Sequence, residues 1–152
     1  MKVADCMTRD VETVTPEQPM REAAQFMLRA DTGVLPVCDG GALSGMVTDR
    51  DIAVRGVAEG RGPDTPVRDV MTEHTVFVYE DADIEEASLL MSDHQVRRLP
   101  VKSRDDDRLV GIVSLADISR SDQSDAAAVA LGGVTDPGGE HNQASDEESE
   151  AR

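Results

Sequence analysis

Val3-Ala4-Asp5-Cys6-Met7-Thr8 and Val67-Arg68-Asp69-Val70-Met71-Thr72 are one segment written twice, 64 positions apart. The offset persists along the chain: Val14 meets Val78, Ala23 meets Ala87, Met27 meets Met91, Pro36 meets Pro100 and Val37 meets Val101. Two additional residues in the Asp105-Asp106-Asp107 turn then move the offset to 66. Gly45-Met46-Val47-Thr48 now falls opposite Gly111-Ile112-Val113-Ser114, and Asp51-Ile52 opposite Asp117-Ile118. So many coincidences in one register mark a duplicated unit of about 50 residues, and two such copies are expected to pack together because neither buries its apolar face alone.

Hydrophobic spacing gives each unit the order strand, helix, strand, strand, helix. Glu12–Thr15 alternates weakly and stops at Pro16, and Pro19 suits the first position of a helix. Met20, Ala23, Ala24 and Met27 then follow the i, i+3, i+4, i+7 spacing of an amphipathic helix. Ile84, Ala87, Ser88 and Met91 echo it, behind Asp81 and Asp83, whose charges suit a helix N-terminus. Met20, Met27 and Met91 read as core filling rather than as ligands. Val34–Cys38 and Val96–Lys102 are β-rich runs, each holding a proline that needs a place without a ladder N–H. Asp39-Gly40-Gly41 and Arg104–Arg108 are turn material, and Ala42–Val47 and Leu109–Val113 are the third strands. Ile52, Val54 and Val57, then Ala116 and Ile118, open the closing helices.

The passage from last strand to last helix carries the chemistry. Gly45-Met46-Val47-Thr48-Asp49-Arg50-Asp51 and Gly111-Ile112-Val113-Ser114-Leu115-Ala116-Asp117 share one pattern: Gly, two apolar residues, a hydroxyl residue, two variable positions, then Asp. One reading is structural, with Thr48 and Ser114 as helix N-caps and Asp51 and Asp117 in the favourable first turn. The other reading is functional. A helix N-terminus after a strand offers free N–H groups to a phosphate, the hydroxyl can bond that phosphate, and the carboxylate one turn on can chelate two ribose hydroxyls. Spacing alone leaves both readings open.

Composition excludes other classes. The chain has 152 residues, with 15 Lys and Arg against 31 Asp and Glu, a formal net charge of −16. A polyanion with no Trp, one Tyr and two Phe repels phosphate polymers and offers few stacking faces, which argues against nucleic-acid partners. No apolar run approaches the roughly 20 residues of a membrane span, and Met1–Asp10 is too polar for a signal peptide. The sequence therefore predicts a soluble, cytoplasmic protein without a membrane partner. From Ser121 onward, eight acidic residues stand against Arg152 alone. That segment, with its Gly132-Gly133 and Pro137-Gly138-Gly139 breaks, is expected to be a solvating tail, disordered after about Gly132. A short helix over Ala126–Leu131 that docks on a partner is the alternative. Cys6 and Cys38 form no CxxC and no metal-spaced cluster, so they read as idle thiols, with zinc disfavoured. His74, His94 and His141 are scattered, and no nucleophilic triad, P-loop or metal motif is legible, so catalysis is not expected. Asp105-Asp106-Asp107 lacks the spacing and Glu of a calcium loop and reads as a solvated turn.

The duplicated unit resembles the CBS domain, named for cystathionine β-synthase, and the pair resembles a Bateman module. The resemblance rests on Asp5-Cys6-Met7-Thr8 and Asp69-Val70-Met71-Thr72, on Leu35-Pro36-Val37 and His94-Gln95-Val96-Arg97-Arg98-Leu99-Pro100-Val101, and on the two glycine-to-aspartate segments. It implies an α/β (α+β) fold of two βαββα repeats about a pseudo-twofold axis, with a disordered acidic C-terminal tail. The divisions are 3–60 and 67–120 for the repeats, 61–66 for the linker and 121–152 for the tail. It also implies clefts between the repeats that take AMP, ADP, ATP or S-adenosylmethionine as a regulatory ligand, with no obligatory cofactor. By position, Thr48 and Ser114 would meet phosphate, Asp51 and Asp117 the ribose, and Val34, Pro36, Val96 and Pro100 would flank the adenine. Arg50, and Arg97 or Arg98, would be phosphate partners; Ala116 stands opposite Arg50, which leaves the second site less help. The resemblance further implies a homodimer of such pairs acting as a nucleotide sensor. The alternative is a non-catalytic interaction or stress-associated dimer whose clefts are vestigial and whose acidic tail or surface engages a protein target.

Overall fold

The structure, a computed structural model, describes residues 1–73, 75–121 and 124–135. It divides into two compact units that cut across the sequence repeats. Unit 1 combines Met1–Arg9 with Val76–Arg104 and the chain from Val110, and unit 2 combines Asp10–Thr75 with Asp105–Leu109. The opening segment of each repeat thus packs with the body of the other. Val3 is fully buried in the core of unit 1, beside Ile84, Leu99 and Ile118, while Val67, Val70 and Met71 are buried in unit 2 with Leu35, Val37 and Val47.

In unit 2, helix α1 (Met20–Ala30) precedes the antiparallel pair β1 (Val34–Asp39) and β2 (Ala42–Thr48). Met20, Ala23 and Met27 face inward as their spacing predicts. Pro19 sits one residue earlier than expected, as the N-cap, where its missing N–H costs nothing. A short turn α2 (Asp49–Asp51) follows β2, and the chain continues through a widened turn at Ile52–Gly56 and a tight one at Val57–Glu59.

In unit 1, β3 (Val78–Tyr79), β4 (Arg98–Lys102) and β5 (Leu109–Ser114) form a sheet in the order β3-β4-β5, with β3 parallel to β4. Helix α3 (Ile84–His94) follows β3, and α4 (Leu115–Arg120) follows β5.

Two expectations need correction. The strand predicted over Glu12–Thr15 shrinks to one parallel bridge, Val14 with Val37. The cause is Pro16: its counterpart Glu80 donates its N–H to the Lys102 carbonyl at 2.9 Å, and proline has no N–H to give. The second concerns the segment after Ser121, predicted as a solvating tail. Ser124–Val134 instead forms helix α5, which lies on α3 with Ala126 and Ala130 buried in the unit 1 core. Gly133 is a contact rather than a breaker: a Cβ there would stand 2.0 Å from Ser92 Oγ. The rest of the expected acidic tail, from residue 136, lies outside the described residues.

Candidate functional site

Each unit turns from strand to helix at the hydroxyl of its motif. Thr48 stays extended (φ −116°, ψ 162°) while Asp49 is already helical. Its Oγ1 accepts the Asp51 N–H at 3.0 Å, and its own N–H donates to Asp51 Oδ2 at 3.0 Å. Ser114 repeats the arrangement (φ −115°, ψ 160°), with the Asp117 N–H 3.0 Å from Ser114 Oγ and the Ser114 N–H 2.9 Å from Asp117 Oδ2. These are reciprocal capping boxes, so the structural reading of the motif is realised in both units. Each box engages one carboxylate oxygen and leaves the hydroxyl proton available. Asp51 Oδ1 has no partner among the described residues, whereas Asp117 Oδ1 accepts from Arg120 Nη2 at 2.8 Å.

The opening segments border the motifs. In unit 2 the Met46 N–H donates to the Thr72 carbonyl at 3.0 Å and the Thr72 N–H returns to Met46 at 2.8 Å; in unit 1 Thr8 and Ile112 exchange the same pair at 2.8 and 3.0 Å. Half-buried Val34 lies opposite Thr48 in the ladder. The residue before it, Gly33, accepts the Asp49 N–H at 2.9 Å, and Arg97 likewise accepts the Leu115 N–H at 2.8 Å. Val96 is half-buried, with its N–H on the Met91 carbonyl at the end of α3. Pro36, opposite Met46, and Pro100 are buried within their strands. Arg50, Arg97 and Arg98 are exposed, and none of their guanidinium groups has a partner among the described residues. Three participants have no site role in the sequence reading. Arg120 was legible as the i+3 neighbour of Asp117 on a helix; the bordering Thr8 and Thr72 backbones were not, because only the tertiary fold brings them there.

Asp117 and Arg120 line an open cleft of about 330 Å³ with Met1, Asp5, Cys6 and Ser121, all in unit 1. Burial, then repulsion from Asp117 and Asp5, pushes the Cys6 thiol above its ordinary range, and burial does the same to Cys38. Both cysteines are free, and the upward shift keeps their thiols protonated at neutral pH. Among the described residues no three His, Cys, Asp or Glu side chains are grouped to hold a metal ion. Asp105, Asp106 and Asp107 sit in an exposed turn, and His94 is exposed at the end of α3; His74 and His141 lie outside the described residues. No helix among the described residues is long and apolar enough to cross a membrane.

The family model described as the CBS domain matches residues 3–56 and again 67–123. The CBS domain-containing protein YhcV of Bacillus subtilis is 45% identical over 126 residues, which cover 83% of this chain and 89% of that one. Among solved structures, Hypoxic Response Protein I with two coordinated zinc ions superposes with a TM-score of 0.73 at 41% identity, covering 79% of this chain and 98% of that one. CBSX2 in complex with AMP gives 0.70 at 28% identity, covering 78% and 93%. The CBS domain pair of MJ0100 in complex with 5-methylthioadenosine and S-adenosyl-L-methionine gives 0.67 at 28% identity, covering 79% and 94%.

Proposed function

The chain belongs to the CBS domain family, and on that premise we propose that it is a non-catalytic regulatory module that binds an adenosine-containing ligand at its glycine-to-aspartate motifs. The observation that carries the reading is Asp51: with Oδ2 fixed on the Thr48 N–H, its Oδ1 is left open beside a hydroxyl that still has a proton to donate. That pair of groups suits a ribose diol, which donates to the carboxylate, and a phosphate oxygen, which accepts from the hydroxyl. The AMP held by CBSX2, and the methylthioadenosine and S-adenosylmethionine held by MJ0100, support the ligand class. AMP, ADP, ATP and S-adenosylmethionine are the candidates. The module acts in the cytoplasm as a homodimer, for which exposed Leu28, Val54, Val57 and Leu89 supply apolar surface.

A second reading is favoured by the completeness of the capping boxes, which account for the motif without any ligand. The protein would then be an interaction partner with vestigial sites. Calorimetric titration with the four ligands separates the two. The wild type is expected to bind at least one of them saturably, and Asp51→Asn/Asp117→Asn, which keeps an oxygen for each cap, to lose about tenfold or more in affinity. A wild type that binds none at millimolar concentration favours the second reading and sinks the first.

A further inference from the structure

Among the described residues of unit 1, nearly every basic side chain has its partner. Lys2 holds Asp83 at 2.9 Å, Arg9 faces Glu80 at 4.0 Å, and Arg120 bonds Asp117 at 2.8 Å. Arg104 grips Asp81 through two N–H groups at 2.9 and 3.0 Å, and Lys102 lies 4.2 Å from the centre of the Phe77 ring. Arg97 and Arg98 are the exceptions: both are exposed, and neither guanidinium has a partner among the described residues. No acidic residue stands within three positions of either one in the chain. Arg50 and Arg108 differ, since Arg50 lies between Asp49 and Asp51 and Arg108 follows Asp105-Asp106-Asp107. Two adjacent, uncompensated cations in a chain of net charge −16 are a place for an anionic occupant.

The pair stands on a fixed stretch of backbone. Gln95 turns the chain out of α3 in the left-handed conformation (φ 52°), the Arg97 carbonyl accepts the Leu115 N–H, and Arg98 opens β4. Helix α5 finishes at the same place: Gln95 Nε2 donates to the Gly133 carbonyl at 3.2 Å, and Thr135 Oγ1 donates to the Leu131 carbonyl at 2.7 Å in the last turn. The chain therefore leaves α5 beside Gln95, which precedes the arginines by two and three positions. Beyond Thr135 the sequence carries Asp136, Glu140, Asp146, Glu147, Glu148 and Glu150 against Arg152 alone. Asp146 is the eleventh residue after Thr135, and a chain of that length reaches up to about 36 Å. Reach is no obstacle. A segment tethered this closely acts at an effective concentration on the order of millimolar, which offsets the weakness of any single exposed ion pair.

We propose that the acidic segment 146–150 docks on Arg97 and Arg98 of its own chain and closes that surface to other anions. A guanidinium takes a carboxylate through paired, charge-assisted N–H bonds. Asp146-Glu147-Glu148 with Glu150 offers more carboxylates than two guanidiniums can engage, so charge rather than an exact register holds the contact. The occupant of the pair is thus built into the chain, and an outside anion has to displace it. The contact needs no bound ligand and stands or falls separately from the adenosine-ligand reading.

The test follows the arginine Nε–Hε signals and the backbone amides of residues 136–152 by NMR in the isotope-labelled full chain, with circular dichroism verifying the fold of each variant. At low salt, Asp146→Asn/Glu147→Gln/Glu148→Gln/Glu150→Gln should move the signals of Arg97 and Arg98 and leave those of Arg50 and Arg108 in place. Arg97→Gln/Arg98→Gln should move the amides of 146–150 in return. Salt at about 1 M, where the screening length falls to about 3 Å, should produce both changes in the wild type. Modification by phenylglyoxal, mapped by mass spectrometry, should be about threefold or more faster at Arg97 and Arg98 in the neutralised variant and unchanged at Arg50. If neutralising the segment leaves the signals and modification rates of Arg97 and Arg98 as they were, or alters Arg50 and Arg108 equally, the docking is wrong. Shifts that appear only as protein concentration rises place the segment on a second copy and overturn the intramolecular contact.

Discussion

A Cβ on Gly45 would stand 2.4 Å from the Thr72 carbonyl oxygen, and one on Gly111 would stand 2.5 Å from that of Thr8. Both oxygens are main-chain atoms held by ladder hydrogen bonds, to the Met46 and Ile112 N–H groups, so neither can step aside. The glycine that opens each motif is therefore the place where the opening Asp-x-Met-Thr segment is seated, and the two repeated signatures of the sequence are one contact seen from its two sides. Gly45→Ala or Gly111→Ala should lower stability by about 1–3 kcal/mol in denaturant unfolding, as overpacked sites do. Gly62→Ala is the control, with open space where its Cβ would go and an expected effect within about 1 kcal/mol. At this scale the hydroxyl and aspartate of each motif were legible, because a capping box is local and its spacing is written in the chain. The state of each carboxylate was not. Whether Asp51 or Asp117 keeps an unclaimed oxygen depends on whether Val54 or Arg120 stands one turn away, a comparison that the repeat invites only once both turns are known to be helical.

Helix α5 has no counterpart in the duplication, and it packs on α3 and α4 of unit 1. Its small residues make the approach: Ala130 is fully buried, Gly133 lies against Ser92, and Gln95 Nε2 donates to the Gly133 carbonyl at 3.2 Å. A methyl group at Gly133 would meet Ser92 Oγ, Cα and Cβ at 2.0, 2.4 and 2.5 Å, so no rotation of the serine relieves it. Gly133→Ala should therefore displace α5, with a loss of about 1–3 kcal/mol in unfolding stability and faster amide hydrogen exchange over Ser124–Val134. Unchanged exchange there would contradict the packing described. The sequence reading placed helix potential over Ala126–Leu131 but stopped it at the glycine pair, because glycine lowers helix propensity whatever its surroundings. Tertiary contact overrode propensity. The lost first strand of unit 2 is the converse case: apolar alternation predicted Glu12–Thr15, and one absent N–H at Pro16 reduced it to a bridge. The other elements matched their predicted positions within a residue or two, since amphipathic spacing and turn residues mark them locally.

The duplication was legible from end to end, but the grouping of its parts was not. Sequence alignment pairs residues that are alike, whereas packing pairs residues that touch. Here the opening segment of each repeat touches the body of the other, which is why units and repeats do not coincide. A fragment spanning 3–60 lacks Val67, Val70 and Met71, all buried in unit 2, and should show no cooperative thermal transition. A fragment spanning 10–75 carries them and should melt cooperatively in circular dichroism. Equal behaviour of the two would count against the grouping. The exchange also sets an order in time. During synthesis, unit 2 has nearly all of its chain once Thr75 emerges, whereas residues 1–9 must wait for partners that begin only at Val76. Long loop closure slows folding, so the segment that leaves the ribosome early is placed late. Until then, the apolar side chain of Val3 travels uncovered on a tether, and early exposure of that kind is where a nascent chain most needs a chaperone.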